Sequence, residues 1–493
     1  MTASISRRRC LTAALAMSAA PVGVFARPAV GRGGDAGGVI AGEDARADLS
    51  ALYLGLEQAH YDLFAHRSRQ DYDRLYAQTL AGITGPVERD RLARVFQAFT
   101  AYGQVGHARI DAPTTAFVQG MRAGGRFLPL FVRVDDGRVL LTATADREGR
   151  FPAGAELLSL NGEAMPIWLE RLSAWVSGER PYMIHAQMES AFPVLLGFAL
   201  GDVDGVTAAV RLPDGVCVEG RIAAVTLAGR AVIREAWPIL SPGIDFGARD
   251  FRLLEDGVAC LRPGGFAEHP GAAGGGQGFV AFVDAAFNRA LDARATDMVI
   301  DLRNNPGGDN SFSDPMVAWF ATRPFMFASS FRLRASPQAK AWYRNADAAE
   351  SADPVLRRLA AAEAAQPDGA RYPFELETIQ PRAGRRFDGR VHVLVNRHSY
   401  SNATSVAALV QDYGFATVWG EETADVPTTY ASILSFDLPR TGFAVTFPKS
   451  RIVRPNGDER VIGVVPDRVL PREPISAVRD TVMDTALAAI RGG

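Results

Sequence analysis

The spacing of apolar residues predicts helices in the first part of the chain. Apolar side chains recur every three or four positions in two stretches, at Leu49, Leu52 and Leu56 and at Leu92, Val95, Phe96 and Phe99. This period places each set on one face of a helix. We therefore predict a small helical domain over residues 46–123, preceded by a flexible linker rich in Gly, Ala and Arg over residues 27–45.

From about residue 124 the pattern changes to that of β-strands. The run Phe127–Val134 is separated from the run Arg138–Leu141 by a short turn at 135–137. Two strands joined by so short a turn are typical of a hairpin. A further strand and turn are expected at Ala153–Gly162, so residues 124–235 are predicted to form a β-rich domain.

Strand and helix patterns alternate from residue 236 to residue 493, which predicts an α/β domain. Two short apolar runs, Asp297–Arg303 and Val391–Val395, are interpreted as buried strands. Residues 336–386 are polar, Ala-rich and helical, and we expect them to be an insertion that decorates this domain.

A serine follows the second of these strands at the start of a predicted helix. Ser401 directly precedes an apolar helical pattern that ends at Gly414, a favourable C-cap. Free N–H groups at a helix N-terminus favour an alkoxide and a developing oxyanion. The first strand runs into Gly307-Gly308, and paired glycines let the backbone approach a ligand closely, as an oxyanion hole requires.

Several motifs in the second half of the chain resemble one family. These motifs follow one another within about 170 residues, in the order in which the family carries them. They are Val299–Gly308, Ser399–Thr404, Gln411–Gly414, Gly420-Glu421 and Gly463–Asp467. They resemble the C-terminal processing (tail-specific) serine peptidases, whose relatives include the tricorn core and retinoid-binding homologues. The resemblance implies a crotonase-like α/β protease core. It also implies that residues 124–235 are a PDZ-like domain, with a plain β-rich spacer as the alternative.

The resemblance also bears on the group that activates the serine. In the tail-specific branch this group is a lysine 25 positions after the serine, but Val426 stands there. The chain has only two lysines, Lys340 and Lys449, and neither fits the motif, so the lysine mechanism is excluded if the alignment holds.

The branch related to the tricorn core uses a histidine and a glutamate instead. The resemblance then implies that Ser401 attacks, that His107 acts as general base and acid, and that Glu459 orients the imidazole. The N–H groups of Asn402 and of Gly307 or Gly308 would form the oxyanion hole.

Each of these residues also has a structural interpretation. Ser401 could be an N-cap, His107 a hydrogen-bonded core histidine and Glu459 a solvated turn residue. His398, three residues before the serine, is kept as a second candidate base. Asp301 and Asp412 are expected to bind backbone or arginine, with Arg303 as their structural partner.

Composition and the N-terminus limit the function further. The net charge of −2 gives no basic surface that would favour nucleic acid. Residues 1–26 have arginines at 7–9, a short apolar run and small residues before a possible cleavage point, and they resemble a twin-arginine export signal. A general secretory signal or a disordered Arg-rich start are the alternatives. No later segment is expected to span a membrane, and Cys217 and Cys260 would remain after cleavage.

The leading hypothesis is an exported serine endopeptidase, periplasmic or extracellular. It would cleave polypeptides through an acyl-enzyme with no metal or cofactor. The alternative is a non-catalytic protein on the same scaffold that binds a peptide or an apolar ligand. The natural substrate and the oligomeric state stay open.

Overall fold

The computed structural model describes residues 38–144, 149–228, 249–268, 278–475, 477 and 479–492. The predicted export signal and most of the predicted linker lie outside these residues. The end of that linker is folded, because strand β1 (Val39–Ile40) pairs with β2 (Val87–Glu88) and a helix begins at Gly42.

The N-terminal helices lie where the periodicity predicted them. They are α1 (Gly42–Ala59), α2 (Arg69–Gly82), α3 (Arg89–Ala101) and α4 (Ala112–Arg122). Both predicted apolar faces are largely buried, and Leu52 and Phe96 are fully enclosed. Their core also includes Phe447 from the C-terminal part of the chain, so the helices pack against the α/β domain.

The middle of the chain forms an antiparallel β-sheet with two helices. The strands are β4 (Phe131–Asp135), β5 (Arg138–Ala143), β6 (Glu156–Leu160), β7 (Glu163–Ala164), β8 (Gly205–Arg211) and β9 (Cys217–Ala223), and the helices are α5 (Met165–Ser173) and α6 (Pro181–Leu200). β4 and β5 form the predicted hairpin, in a sheet of order β4-β5-β6-β8-β9 with β7 on β6. Its identity as a PDZ-like domain stays a prediction.

Helix α6 is long and apolar enough to cross a membrane by length and composition alone, a point that the sequence analysis missed. In the structure it packs on the middle sheet, with Met188, Phe192 and Leu196 fully buried. A buried core helix can have the same length and apolar composition as a membrane-spanning helix, so α6 is weak evidence for a membrane span.

The α/β domain is built on a second, mostly parallel sheet. Its strands are β10 (Asp250–Leu253), β11 (Val258–Arg262), β12 (Asp297–Asp301), β15 (Arg390–Val395), β16 (Thr417–Gly420) and β19 (Arg468–Val469), in that spatial order. The helices are α7 (Phe279–Asp292), α8 (Asn310–Ala318), α9 (Pro337–Asn345), α10 (Pro354–Ala364), α11 (Asn402–Tyr413) and α12 (Thr481–Gly492). β12 and β15 are adjacent and parallel, so the loops after them lie at one edge of the sheet.

A third sheet connects the front of the chain to this domain. It contains β13 (Ser330–Arg334), β14 (Arg371–Pro373), β17 (Thr429–Asp437) and β18 (Ala444–Val453), in the order β14-β13-β18-β17. The short strand β3 (Arg109–Ile110) pairs with β18. The predicted insertion at 336–386 contributes α9, α10 and β14.

The two carboxylates of the sequence motifs, Asp301 and Asp412, have structural partners. Asp301 binds the Arg303 guanidinium at 2.9 Å, as predicted. Asp412 pairs with Arg454 at 2.6 Å and not with Arg303, because the turn after β18 brings that arginine beside α11. Cys217 is exposed and Cys260 is buried, and neither is in a disulfide.

Candidate active site

Ser401 stands at the N-terminus of α11 in a strained backbone conformation. Its φ is 53° and its ψ is −122°, a region that residues other than glycine rarely adopt. The loop before it is fixed by Ser399, whose hydroxyl donates to the Leu302 carbonyl at 2.8 Å. The surrounding structure thus holds the serine in a sharp strand-to-helix turn, with its side chain at the end of the parallel sheet.

His107 lies beside this serine, although the two residues are 294 positions apart in sequence. Its Nε2 is 3.2 Å from the Ser401 Oγ. The adjoining strand β3 is paired with β18, which carries the histidine loop onto the α/β domain. The Tyr400 ring stacks on the imidazole with centroids 5.2 Å apart, and the Tyr400 hydroxyl donates to the Gly106 carbonyl at 3.0 Å.

The environment of His107 favours its neutral form. Burial, with a smaller effect of the Arg109 guanidinium, lowers the pKa of His107 to about 4. A neutral imidazole can accept a proton from the serine hydroxyl near neutral pH. A backbone hydrogen bond to Tyr430 acts in the opposite direction and raises this pKa. The buried Nδ1 has no side-chain partner among the described residues.

The structure does not bring Glu459 to the imidazole. Its side chain is 59% exposed and its carboxylate pairs with Arg451 at 2.7 Å. The turn that carries Glu459 is held by local bonds, since Asp458 binds Arg460 at 2.6 Å. These contacts correspond to the structural interpretation of Glu459 as a solvated turn residue.

The second candidate base is also directed elsewhere. His398 Nε2 lies 3.0 Å from a Glu189 carboxylate oxygen, and its Nδ1 lies 3.4 Å from the Ser190 hydroxyl. Both of its ring nitrogens therefore face α6 and not Ser401. Val426 is buried where the tail-specific enzymes carry their lysine.

The loop at Gly307-Gly308 has one free backbone N–H, where the sequence analysis offered two as oxyanion donors. The Gly307 N–H donates to the Asn305 side-chain oxygen at 2.9 Å, so it is already engaged. The N–H groups of Gly308 and Asn402 donate to no acceptor within the part of the chain that the structure describes. We therefore assign the candidate oxyanion hole to Gly308 and Asn402.

Two buried carboxylates that the sequence analysis missed lie behind the serine and the histidine. Asp425 accepts hydrogen bonds from the N–H of Ser401 at 2.5 Å and from that of Val426 at 2.8 Å. Burial raises the pKa of Asp425 to about 6, although both of these bonds lower it. Burial, followed by the Asp425 charge, raises the pKa of Glu179 to about 8.

The sequence held only a weak signal for these acids. Asp425 stands directly before the position of the missing lysine, in a stretch that departs from the family motif. Glu179 lies in the β-rich part of the chain and in no motif, so only the tertiary structure reveals it.

Ser401 and His107 open onto a cavity of about 390 Å³. Gly308 lies in its wall, and so do Ser432 and Ile433 of β17. The insertion at 336–386 supplies part of the lining through apolar residues of α9 and α10. The cavity is therefore large enough for several side chains of a bound polypeptide.

Comparison with known proteins identifies the α/β domain. Residues 276–470 match the model of peptidase family S41. The structure of mature CPAF complexed with lactacystin aligns with 91% of this chain and 98% of its own, at 18% identity and a TM-score of 0.61. The crystal structure of mature CPAF aligns with 87% of this chain and 93% of its own, at 18% identity and a TM-score of 0.59.

At this sequence identity the similarity to CPAF shows a shared fold. No curated protein sequence matches the chain. From the family match we conclude that residues 276–470 form a peptidase domain of the S41 type.

Proposed function

We propose that the protein is an endopeptidase in which Ser401 is the nucleophile and His107 the general base. The observation that carries this proposal is the 3.2 Å approach of the His107 Nε2 to the Ser401 hydroxyl. His107 would take the hydroxyl proton as the serine oxygen attacks the scissile carbonyl, and would return it to the leaving amine. Water would then hydrolyse the acyl-enzyme by the same route in reverse.

The surroundings of the two residues support this chemistry. The free N–H groups of Gly308 and Asn402 can stabilise the negative charge that forms on the carbonyl oxygen. The start of α11 adds the positive end of its dipole at the same place. An extended polypeptide is the substrate that suits an open cavity walled by the strand β17.

The role of Glu459 is the part of the predicted Ser-His-Glu set with the least support. Its carboxylate would have to leave Arg451 and move with its turn to reach the His107 Nδ1. We propose that the Ser401–His107 pair is sufficient for catalysis, with the stacked Tyr400 ring orienting the imidazole in place of a carboxylate.

The alternative is a binding protein without catalysis, and the lack of a carboxylate partner for His107 among the described residues is the observation that favours it. Labelling with a fluorophosphonate probe tests the two. A peptidase should be labelled in the wild type and unlabelled in both Ser401→Ala and His107→Ala. A folded wild-type protein that takes up no probe and cleaves no peptide would support the binding protein.

We also propose that the protein is exported to the periplasm or beyond. The support is the arginine-rich start and apolar run of residues 1–26. Replacement of Arg7 and Arg8 by lysine should retain the precursor in the cytoplasm if the twin-arginine route is used. Unchanged export would point to the general secretory route.

A further inference from the structure

Lys449 is a buried lysine whose ammonium group has no hydrogen-bond partner among the described residues. The residue is 1% exposed, and its Nζ makes no hydrogen bond within the described ranges of the chain. The nearest aromatic contact is the Tyr343 ring, whose centroid is 5.5 Å from the Nζ. Buried charges are normally paired, because loss of hydration is costly.

The other lysine of the chain shows the usual arrangement. Lys340 lies nearer the surface and donates to the Gln366 carbonyl and to the Asp368 carboxylate, both at 2.7 Å. The lack of such partners at Lys449 is therefore specific to its position and is not a general property of lysine in this protein.

Glu363 is the carboxylate whose charge acts on Lys449, and it already accepts two other hydrogen bonds. Glu363 is buried, and one carboxylate oxygen accepts from the Ser336 N–H at 2.9 Å while the other accepts from the Tyr372 hydroxyl at 2.8 Å. Its negative charge helps to keep the lysine protonated, whereas burial lowers the pKa of Lys449 to about 8. Below that pH the group is mainly an ammonium ion with three free donors.

Lys449 lines the same cavity as Ser401 and His107. It lies on β18 at the point where pairing with β17 is interrupted, between Ala431 opposite Ser450 and Ile433 opposite Pro448. Ser432, which faces this gap, has a φ of 56° and also lines the cavity. The register on both sides of the gap places Ser432 opposite Lys449, and both residues line the cavity.

Three other charged residues of the cavity wall have partners of their own. Arg358 is paired with Glu377 at 2.8 Å, and Arg109 with Asp111 at 2.9 Å. Asp314, also buried in the wall, binds Asn310, and burial raises its pKa to about 7. The cavity lining also includes the apolar and aromatic residues Phe331, Tyr343, Leu359 and Phe374, of which Tyr343 is the one in contact with Lys449.

We propose that Lys449 forms a carboxylate-binding subsite of the substrate cleft, which selects polypeptides with an acidic side chain or a chain-terminal carboxylate at a fixed distance from the scissile bond. The inference rests on the proposed peptidase function. A carboxylate is the anion that a polypeptide supplies, and it would satisfy the free donors in an environment where charge pairs are strong.

Cleavage of matched peptides tests the subsite. Each position near the scissile bond carries Glu in one peptide and Gln in its twin, and a second pair differs only in a free or amidated C-terminus. We expect kcat/KM to favour the acid at one position by at least about tenfold, because the neutral twin leaves a buried charge unpaired. The two pairs distinguish an acidic side chain from a terminal carboxylate.

Three variants make the result specific. Lys449→Met should remove the preference for the acid, since Met fills similar space without a charge. Lys449→Arg should keep part of the preference. Lys340→Met, the matched control at the other lysine, should keep all of it. No preference at any position in the wild type, or a full preference in folded Lys449→Met, would refute the subsite.

Binding to an inactive variant separates this proposal from the proposed function. In a Ser401→Ala background, the affinity for the acidic peptide should exceed that for the neutral twin, and Lys449→Met should abolish the difference. If the wild type cleaves nothing but this difference is present, the peptidase proposal fails and the subsite stands. If peptides are cleaved without any difference, the subsite alone fails.

Discussion

The Asp425 carboxylate accepts a hydrogen bond from the backbone N–H of Ser401 at 2.5 Å, directly behind the candidate nucleophile. Its other oxygen accepts the Val426 N–H at 2.8 Å, so one buried side chain satisfies two backbone donors. The bond fixes the residue that carries the reacting hydroxyl, in a backbone conformation that would otherwise be unfavourable. Asp425 is therefore a positioning residue.

We predict that Asp425→Asn lowers both stability and activity. The amide group keeps one acceptor but places N–H donors against the second backbone N–H, which leaves a buried donor unsatisfied at a cost of about 1–3 kcal/mol. Thermal unfolding and peptidase kinetics measure the two effects. Asp458→Asn, at an exposed turn outside the site, is the matched control and should leave kcat unchanged.

The second prediction concerns the pH dependence of cleavage. A general base works only when deprotonated, so activity should be lost as the pH falls through the pKa of His107, which burial lowers to about 4. The acidic limb of the kcat/KM profile should therefore lie well below the usual histidine value. Arg109→Gln removes a positive charge that lowers this pKa and should move the limb to higher pH. A wild-type limb at pH 6.5 or above would show that burial does not lower the pKa of the base in the working enzyme.

The third prediction distinguishes the roles of His107 and Glu459. Loss of the base in His107→Ala should lower kcat by at least about a hundredfold. Glu459→Ala removes only an exposed ion pair with Arg451, worth about 0–1 kcal/mol, and should change kcat less than about fivefold. A loss in Glu459→Ala as large as that in His107→Ala would show that the turn moves and that the carboxylate completes a triad.

The sequence predicted the strands and the helix that carry this site better than it predicted the contacts between their side chains. The strands β12 and β15 and the helix α11 (Asn402–Tyr413) follow from strong local patterns of apolar residues and, for the helix, from the C-cap at Gly414. The approach of His107 depends instead on β3, a strand of two residues whose pairing with β18 has no local signal. Asp425 and Glu179 were missed for a related reason, because their importance comes from burial, which spacing along the chain does not reveal.

The last prediction concerns Gly307, whose N–H is not free but whose lack of a side chain is essential to the site. Gly307 has a φ of 87°, and a Cβ added there would lie 2.6 Å from the Asn402 nitrogen and 2.7 Å from the Ser401 Cβ. Gly307→Ala should therefore displace both the nucleophile and an oxyanion donor, and a shift of about 1 Å can lower kcat about a hundredfold.

The control for this variant must have the same backbone strain without the contact. Gly384 has a φ of 78°, and a Cβ added there meets nothing within 4 Å. Gly384→Ala should cost stability to a similar degree, because both residues adopt a conformation that disfavours alanine. It should leave kcat unchanged, so the ratio of the two rates isolates the steric effect at Ser401 and Asn402. Equal kcat values for folded Gly307→Ala and Gly384→Ala would show that the glycine loop does not adjoin the reacting atoms during catalysis.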